Sequence, residues 1–460
     1  MDSEYIELHK KRREQKEPTI PIHKIYLVLS ILFGLIFSIA MPLFSEQDGQ
    51  YHYVAASEMV NLSTNLSNYG EYTVGSGTDG QDFFYKNKKY FSQYYLQKIE
   101  IIPQKDIPRL PNSAKSKFNY DYFGHLIPAL GVYIGHKIYP SLGVMVTVGR
   151  LLNMVFCSIL LFFIIKWVKK GKEVFACILL SPVAINSLAS LSYDAVNFVW
   201  VSMLIALAIN MIVSKRERWK LYIPVLVIIS IISFIWIKTN YLVLLAIFPI
   251  IIINKMLGEG IEKNRRTQTS QQKYHRMILL LTVASGIVGT LGLIIISYNN
   301  GGIGYILSRL WPSFGITYTT NQNIVSQTLL SQSNRGENLL PFWLSGVWFA
   351  LMICMLLVQE KYVKSRFISW GALGIFIVSI IAVYLAFIPF GGVSSGQIWG
   401  VQGRYFTPLL PLLSIVVGNY KFKLKLSPQK PLIILMAVIV VFSNSLVVIN
   451  TLTGMYGLFS

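Results

Sequence analysis

An all-α integral membrane protein with about eleven transmembrane helices (ten to twelve) and a large first outer loop is the fold class this sequence predicts. Three observations predict it. Apolar residues make up 53% of the 460-residue chain and charged residues only 13%, about half the charge of an ordinary soluble domain. Apolar runs near the roughly 20 residues that cross hydrocarbon recur along the whole length. The formal charge of +20 is also unevenly spread. High hydrophobicity excludes a disordered chain. Low overall charge argues against a soluble nucleic-acid binder, so no nucleic-acid partner is expected.

The elements follow in order. Residues 1–24 are polar and basic and read as a cytoplasmic tail. The run at 25–44 exceeds the roughly 7–15 apolar residues of a signal peptide, so it reads as an uncleaved first span. Residues 45–141 form the large outer loop, rich in Tyr, Asn, Ser and Gly. Within it, 122–140 carries His125, His136 and Lys137, which predicts a helix lying along the interface. Further spans are expected at 142–166, 173–190, 195–213, 221–237, 241–254, 277–297, 341–358, 367–389, 407–419 and 431–451. The stretch 221–254 is split at Lys238 because a cation at the bilayer centre costs about 2.5–3.5 kcal/mol. Residues 298–340 and 391–406 are the second and third outer loops, and 452–460 is an outer tail. One polytopic domain thus covers 25–451.

Charge sets the orientation. Of 41 Lys and Arg, 27 lie in six short segments: the N-terminal tail, 166–172, 214–220, 255–276, 361–366 and 421–430. Basic loops stay in the cytoplasm, and all six fall on one side of the eleven-span arrangement. The expected location is the cell membrane, multi-pass, with the N-terminus inside and the long loops outside. Cys157, Cys177 and Cys354 each sit in an apolar run and imply packing, not a disulfide framework.

Candidate chemistry gathers at the outer ends of spans. Asp48 and His52, with Glu46 and Tyr53, follow span one, where burial can tune a base; the plainer reading is a polar loop start. Tyr193-Asp194 interrupts two apolar runs, and Asp194 reads either as a helix N-cap or as a functional acid. Lys238, near Tyr241, and Arg404, in Gln402-Gly403-Arg404-Tyr405, are cations at span ends. Snorkelling explains Lys238 comfortably and Arg404 less well, and an Arg fork suits phosphate oxygens. Arg150 lies inside an apolar run and needs an anionic partner. Asp48, Glu46 and Asp194 are oxygen donors of the kind Mg²⁺ or Mn²⁺ prefers, though nothing fixes their geometry and no metal or cofactor is certain. The six histidines show no metal-ligand spacing, and no P-loop, GxGxxG, HExxH or CxxC pair occurs.

A resemblance rests on Asp48 with His52-Tyr53, GRLLN (149–153), LSP (180–182) with SLSYDAVN (190–197), Lys238 with Tyr241, and QGRYFTPLLPLL (402–413). Together these resemble a broad family of bacterial predicted membrane proteins, of unknown function, related to the GT-C-type glycosyltransferases. That family usually has an Asp-Glu pair followed by Pro at the first site; here Asp48-Gly49-Gln50 lacks the second acid. The resemblance implies a GT-C-like fold and sugar transfer from a polyprenyl-phosphate donor to a glycan, lipid or protein acceptor in cell-envelope glycan synthesis. It implies Asp48 as the catalytic acid-base group and Lys238, Arg404 and Arg150 at the donor phosphate. His52, Tyr53, Tyr193, Asp194, Tyr241, Gln402 and Tyr405 would line the substrates, with membrane lipids around the bundle. Two other classes remain open: a transporter or flippase for a lipid-linked saccharide, which predicts internal symmetry and broken helices near the midplane, and a non-enzymatic envelope-assembly protein, in which Asp48 is dispensable.

Overall fold

The computed structural model describes residues 21–46, 48–69, 71, 89–102, 119–263, 301–316, 328–330, 340–388, 396, 398, 400–420, 424 and 430–456. Among these, every regular element is helical, and strand-like pairing is limited to two isolated bridges. The chain is an integral membrane protein with several apolar helices long enough to cross a bilayer.

Six helices among the described residues have the length and composition of spans. They are α1 (Ile22–Ala40), α4 (Leu142–Trp167), α7 (Asp194–Val213), α8 (Trp219–Trp236), α12 (Arg366–Ala386) and α14 (Lys430–Asn450). Between them lie α2 (Gly49–Met59), α3 (Tyr120–Ile138), α5 (Lys172–Leu179), α6 (Pro182–Leu188), α9 (Ile247–Lys263), α10 (Ile303–Ile316), α11 (Phe342–Val358) and α13 (Leu413–Val417). Three shorter apolar helical stretches cover Thr239–Lys255, Trp343–Val358 and Gly403–Val417. The expected span at 277–297 lies outside the described residues.

Three expected spans take another form. The run at 173–190 is not one helix: it breaks at Ser181 into α5 and α6. Pro182 has no N–H to continue the helix and biases Ser181 toward extended backbone, here at φ −62°, ψ 151°. The Asn444 amide of α14 donates to the Leu180 carbonyl (3.2 Å), one of the acceptors near the break. Irregular backbone at membrane depth is tolerated when protein covers it in this way. The stretch at 241–254 begins as a 3₁₀ helix over Thr239–Ala246 before α9, and 407–419 begins as 3₁₀ over Thr407–Leu412, where Pro408 and Pro411 disturb the α-ladder.

Residues 120–138 are helical, as expected for the 122–140 segment. This helix packs antiparallel on α4 through glycine. A Cβ on Gly131 would stand 2.6 Å from the Gly149 Cα, and one on Gly135 would stand 2.7 Å from the Met145 Cα. The two backbones therefore meet with no side chain between them, the small-residue packing that membrane helices use.

The helices define two ends. At one end, Lys169 Nζ donates to Ser214 Oγ (2.5 Å), Lys255 Nζ to the Ser214 carbonyl (2.6 Å), and Ser365 Oγ to Asn254 Oδ1 (2.6 Å). There too Lys170 pairs with Glu360, and the Leu424 N–H donates to the Leu357 carbonyl (3.1 Å). The start of α1 joins this end through the His23 and Phe162 rings, 5.3 Å apart. The described residues of all six basic segments therefore border the same end. Asp194 opens α7, which reaches that end 20 residues later, about 30 Å away. Asp48, Asp194, Lys238 and Arg404 meet at the opposite end.

Candidate functional site

The site forms where four chain turns converge. After α1, the chain reverses through Phe44 and Asp48, both left-handed, at φ 60° and 56°. Asp tolerates this conformation better than most residues, so Asp48 can seat the start of α2. Asp194 opens α7, Lys238 follows α8, and Arg404 sits in the 3₁₀ turn Gly403–Tyr405.

Asp194 is the hub. Its Oδ1 accepts from Lys238 Nζ at 2.8 Å, and its Oδ2 stands 3.2 Å from Arg404 Nε. The second contact is an ion pair without hydrogen-bond alignment, so both of those atoms lack a hydrogen-bond partner. Asp194 does not cap its own helix; no side-chain cap bond forms at that N-terminus. The cap reading is therefore replaced by an ionic one. Arg404 Nη2 extends to Asp48 Oδ2 at 3.7 Å, and Asp48 remains 57% exposed. Lys238 Nζ lies 4.4 Å from the ring centroids of both Tyr193 and Tyr405, so the ammonium is held between two π faces. Burial lowers the Lys238 pKa, but the Asp194 carboxylate and the Tyr405 side chain together outweigh it and hold the ammonium above its ordinary value. The Asn197 side-chain carbonyl accepts from the Lys238 N–H (3.2 Å), and Tyr241 OH donates to the Tyr405 carbonyl (2.8 Å), fixing both turns. The Gln402 side-chain oxygen is buried without a partner.

A second cluster touches the first through Tyr193, whose ring lies edge-on to His52 (4.9 Å) and His125 (5.5 Å). His52 Nδ1 lies 2.8 Å from His125 Nε2, and His125 Nδ1 lies 2.6 Å from the Asp121 carbonyl oxygen. A carbonyl only accepts, so His125 Nδ1 carries a proton and donates it. In the neutral dyad, His125 Nε2 then accepts from His52 Nδ1. His52 Nε2 is left as a buried lone pair with no partner. Tyr51 OH donates to the Asp121 carboxylate and anchors the far end of the chain. Burial, and then the neighbouring His125, hold His52 well below its ordinary 6.5.

That depression has a consequence for stability. As pH falls below about 6.5, the unfolded imidazole binds a proton while the folded one does not. Stability should fall with pH in that window, by at most about 1.4 kcal/mol per pH unit. Thermal unfolding in detergent between pH 7.5 and 5.5 should show this slope, and His52→Gln should flatten it. An unchanged slope in the variant would remove His52 as its source.

The close fit of Tyr193 depends on one glycine. A Cβ on Gly124 of α3 would stand 2.2 Å from the Tyr193 Cβ. Only a bare α-carbon lets α3 bring His125 beside this ring.

Eight of the expected residues, Asp48, His52, Tyr193, Asp194, Lys238, Tyr241, Arg404 and Tyr405, belong to this network, and Gln402 adjoins it in the Arg404 turn. Two others are elsewhere. Tyr53 is buried in an apolar cluster with Phe44, Leu62 and Met145, its hydroxyl unpartnered. Arg150, expected at the donor phosphate, is engaged within the protein itself. Its Nε donates to Glu46 Oε1 (3.2 Å), Nη1 to the Met41 carbonyl (2.8 Å), and Nη2 to the Pro42 carbonyl (3.0 Å) and to Glu46 Oε2. The anionic partner it needs is thus Glu46, and the pair clamps the turn that leads into Asp48.

The carboxylates do not suit a divalent ion. Glu46 faces Arg150, and Asp194 faces Lys238 and Arg404. Among the described residues no three His, Cys, Asp or Glu side chains gather in a metal-binding group. Sequence reasoning missed Tyr51, Asp121 and Asn197. The signal available was the i,i+4 spacing of Asp121 and His125, which puts both on one face of α3.

Residues 31–322, more than half of the chain, match the family model described as Predicted membrane protein (DUF2142). No curated protein and no solved structure matches the chain.

Proposed function

Because the chain belongs to that family of predicted membrane proteins, we propose that it is an integral-membrane glycosyltransferase of GT-C type. It moves a sugar from a polyprenyl-phosphate donor to a glycan, lipid or protein acceptor at the outer face of the cell membrane. The observation that carries this reading is the convergence of Lys238 and Arg404 on Asp194, with Asp48 beside them, at the end opposite the basic segments. The positive-inside rule makes the basic end cytoplasmic and this end extracytoplasmic. About eleven spans are then reached by adding the three shorter apolar stretches, the broken α5–α6 run and the 277–297 run to the six long helices.

The chemistry needs three things at one interface. The donor phosphate needs cations, and Lys238 and Arg404 supply them. Asp194 offsets one of these two positive charges before the donor arrives, and Asp48 lies 3.7 Å from Arg404. The acceptor needs a base, and Asp48 is the exposed carboxylate beside Arg404. Asp48 takes the hydroxyl proton, the acceptor oxygen bonds to the anomeric carbon, and the bond from that carbon to the phosphate oxygen breaks. The electron pair leaves with the phosphate, and the fixed cations stabilise that charge. The sugar needs polar, planar surroundings. Tyr193 and Tyr405, whose rings flank the Lys238 ammonium, border the sugar's position, while the bare His52 Nε2 and the Gln402 oxygen accept from its hydroxyls.

Arg404→Ala should lower turnover with a polyprenyl-phosphate sugar by about 10²–10³. Full turnover in that variant would discard the phosphate assignment. The transporter reading gains one feature, the broken helix at Ser181. However, Leu180-Ser181-Pro182 at that break carry no ionisable side chain, and Asp48, Asp194, Lys238 and Arg404 meet at the end of the bundle instead.

A further inference from the structure

A cavity of about 290 Å³ opens at the basic end of the bundle. Its lining joins the start of α12 to the end of α13: Lys361, Arg366 and Asn419 are polar, Trp370 and Tyr420 aromatic, and Leu373 apolar. We propose that this cavity binds the headgroup of an anionic phospholipid from the surrounding membrane, with its phosphate between Lys361 and Arg366.

Charge is the first argument. Neither cation has an ion-pair or hydrogen-bond partner for its side chain among the described residues. The acid next in sequence, Glu360, is already paired with Lys170. Topology alone requires basic residues near this end, but it does not require two unpaired cations to share a cavity. Basic pockets between helices on this side of a membrane suit anionic headgroups.

The aromatic rim is the second argument. Trp370 is 64% exposed and Tyr420 49%. Amphipathic rings of this kind sit at headgroup depth. Asn419 is held in place because its amide donates to the Val363 carbonyl (2.8 Å). The cavity wall is therefore fixed by the chain reversal between α11 and α12.

The surface of α12 beyond the cavity distinguishes a lipid from a free anion. From the cavity, Trp370, Leu373 and Ile377 follow one face of α12 at i, i+3 and i+7, and Ile377 is half-exposed. This apolar lane leads away from the two cations along the helix. A phosphate with attached acyl chains uses both features, whereas a soluble phosphate uses only the first. The site lies at the opposite end from Asp194 and does not depend on the transferase reading.

Fluorescence quenching tests it on the full chain in nanodiscs. Brominated phosphatidylglycerol and brominated phosphatidylcholine are compared, and Trp370→Phe isolates the Trp370 signal. The expected result is a preference of roughly tenfold for phosphatidylglycerol. That preference should disappear in the Lys361→Gln/Arg366→Gln variant and survive excess glycerol phosphate. Equal quenching by the two lipids, or an unchanged preference in the double variant, overturns the proposal. Competition by glycerol phosphate would make it a soluble-anion site and overturn the lipid assignment. If the double variant fails to insert, Lys361→Gln and Arg366→Gln singly must each reduce the preference, and no reduction in either overturns it.

Discussion

Arg150→Met is expected to destabilise the protein by about 3–5 kcal/mol, the usual cost of removing one partner from a buried ion pair. The Arg150 side chain is 1% exposed, and it serves Glu46, the Met41 carbonyl and the Pro42 carbonyl at once. Methionine fills a similar volume but leaves the Glu46 charge and two carbonyls buried. Adding Glu46→Gln removes the uncompensated charge, so the double variant should be more stable than Arg150→Met alone. The carbonyls remain unserved, so recovery should be partial, with a coupling of about 0.5–3 kcal/mol between the two sites. Denaturant unfolding in mixed micelles measures all four proteins. An Arg150→Met variant within about 1 kcal/mol of wild type would show that the pair is not the clamp of the turn before Asp48.

That residue also shows what was legible in the sequence. A lone Arg in an apolar run announces that it needs an anion, because an unpaired charge in the bilayer is costly. The run does not say which anion, since Glu46 lies 104 positions away in sequence. Lys238, Asp194 and Arg404 were legible for the same reason: each is an isolated charge where apolar runs end. Their meeting on one carboxylate was not legible, because it depends on how α7, α8 and the 403–405 turn pack. Asp121 and His125 were hidden by their context. In the 122–140 segment His125 reads only as one of the polar residues that keep the helix at the interface, and Asp121 lies just outside it. The glycines that draw α3 against α4 and Tyr193 instead bury both. The break at Ser181 was visible as a proline but was outweighed by the apolar run around it. Run length reports burial, whereas continuity of the helix depends on local backbone terms.

Asp48→Asn is the second large effect expected, and it separates two roles that the geometry allows. Asn tolerates the left-handed backbone at this position as Asp does, so the turn into α2 should survive. If Asp48 takes the acceptor proton, kcat should fall by about 10²–10⁴. KM should change little, because the lost interaction acts in the transition state. If Asp48 only steadies Arg404, the outcome differs. Their contact is 3.7 Å and Asp48 is 57% exposed; a pair this exposed contributes at most about 1 kcal/mol. That is less than a tenfold change, and it should appear mainly in KM through a less ordered phosphate clamp. Steady-state kinetics with a polyprenyl-phosphate sugar distinguish the two outcomes by size and by the parameter affected. A properly inserted Asp48→Asn protein that retains kcat within tenfold, and leaves the glycan composition of its cell unchanged, would remove Asp48 as the base. In that event the phosphate assignment would still stand or fall on Arg404 and Lys238 alone, because neither depends on Asp48 for its principal contact. Both cations meet Asp194 first, and that carboxylate is buried where Asp48 is not.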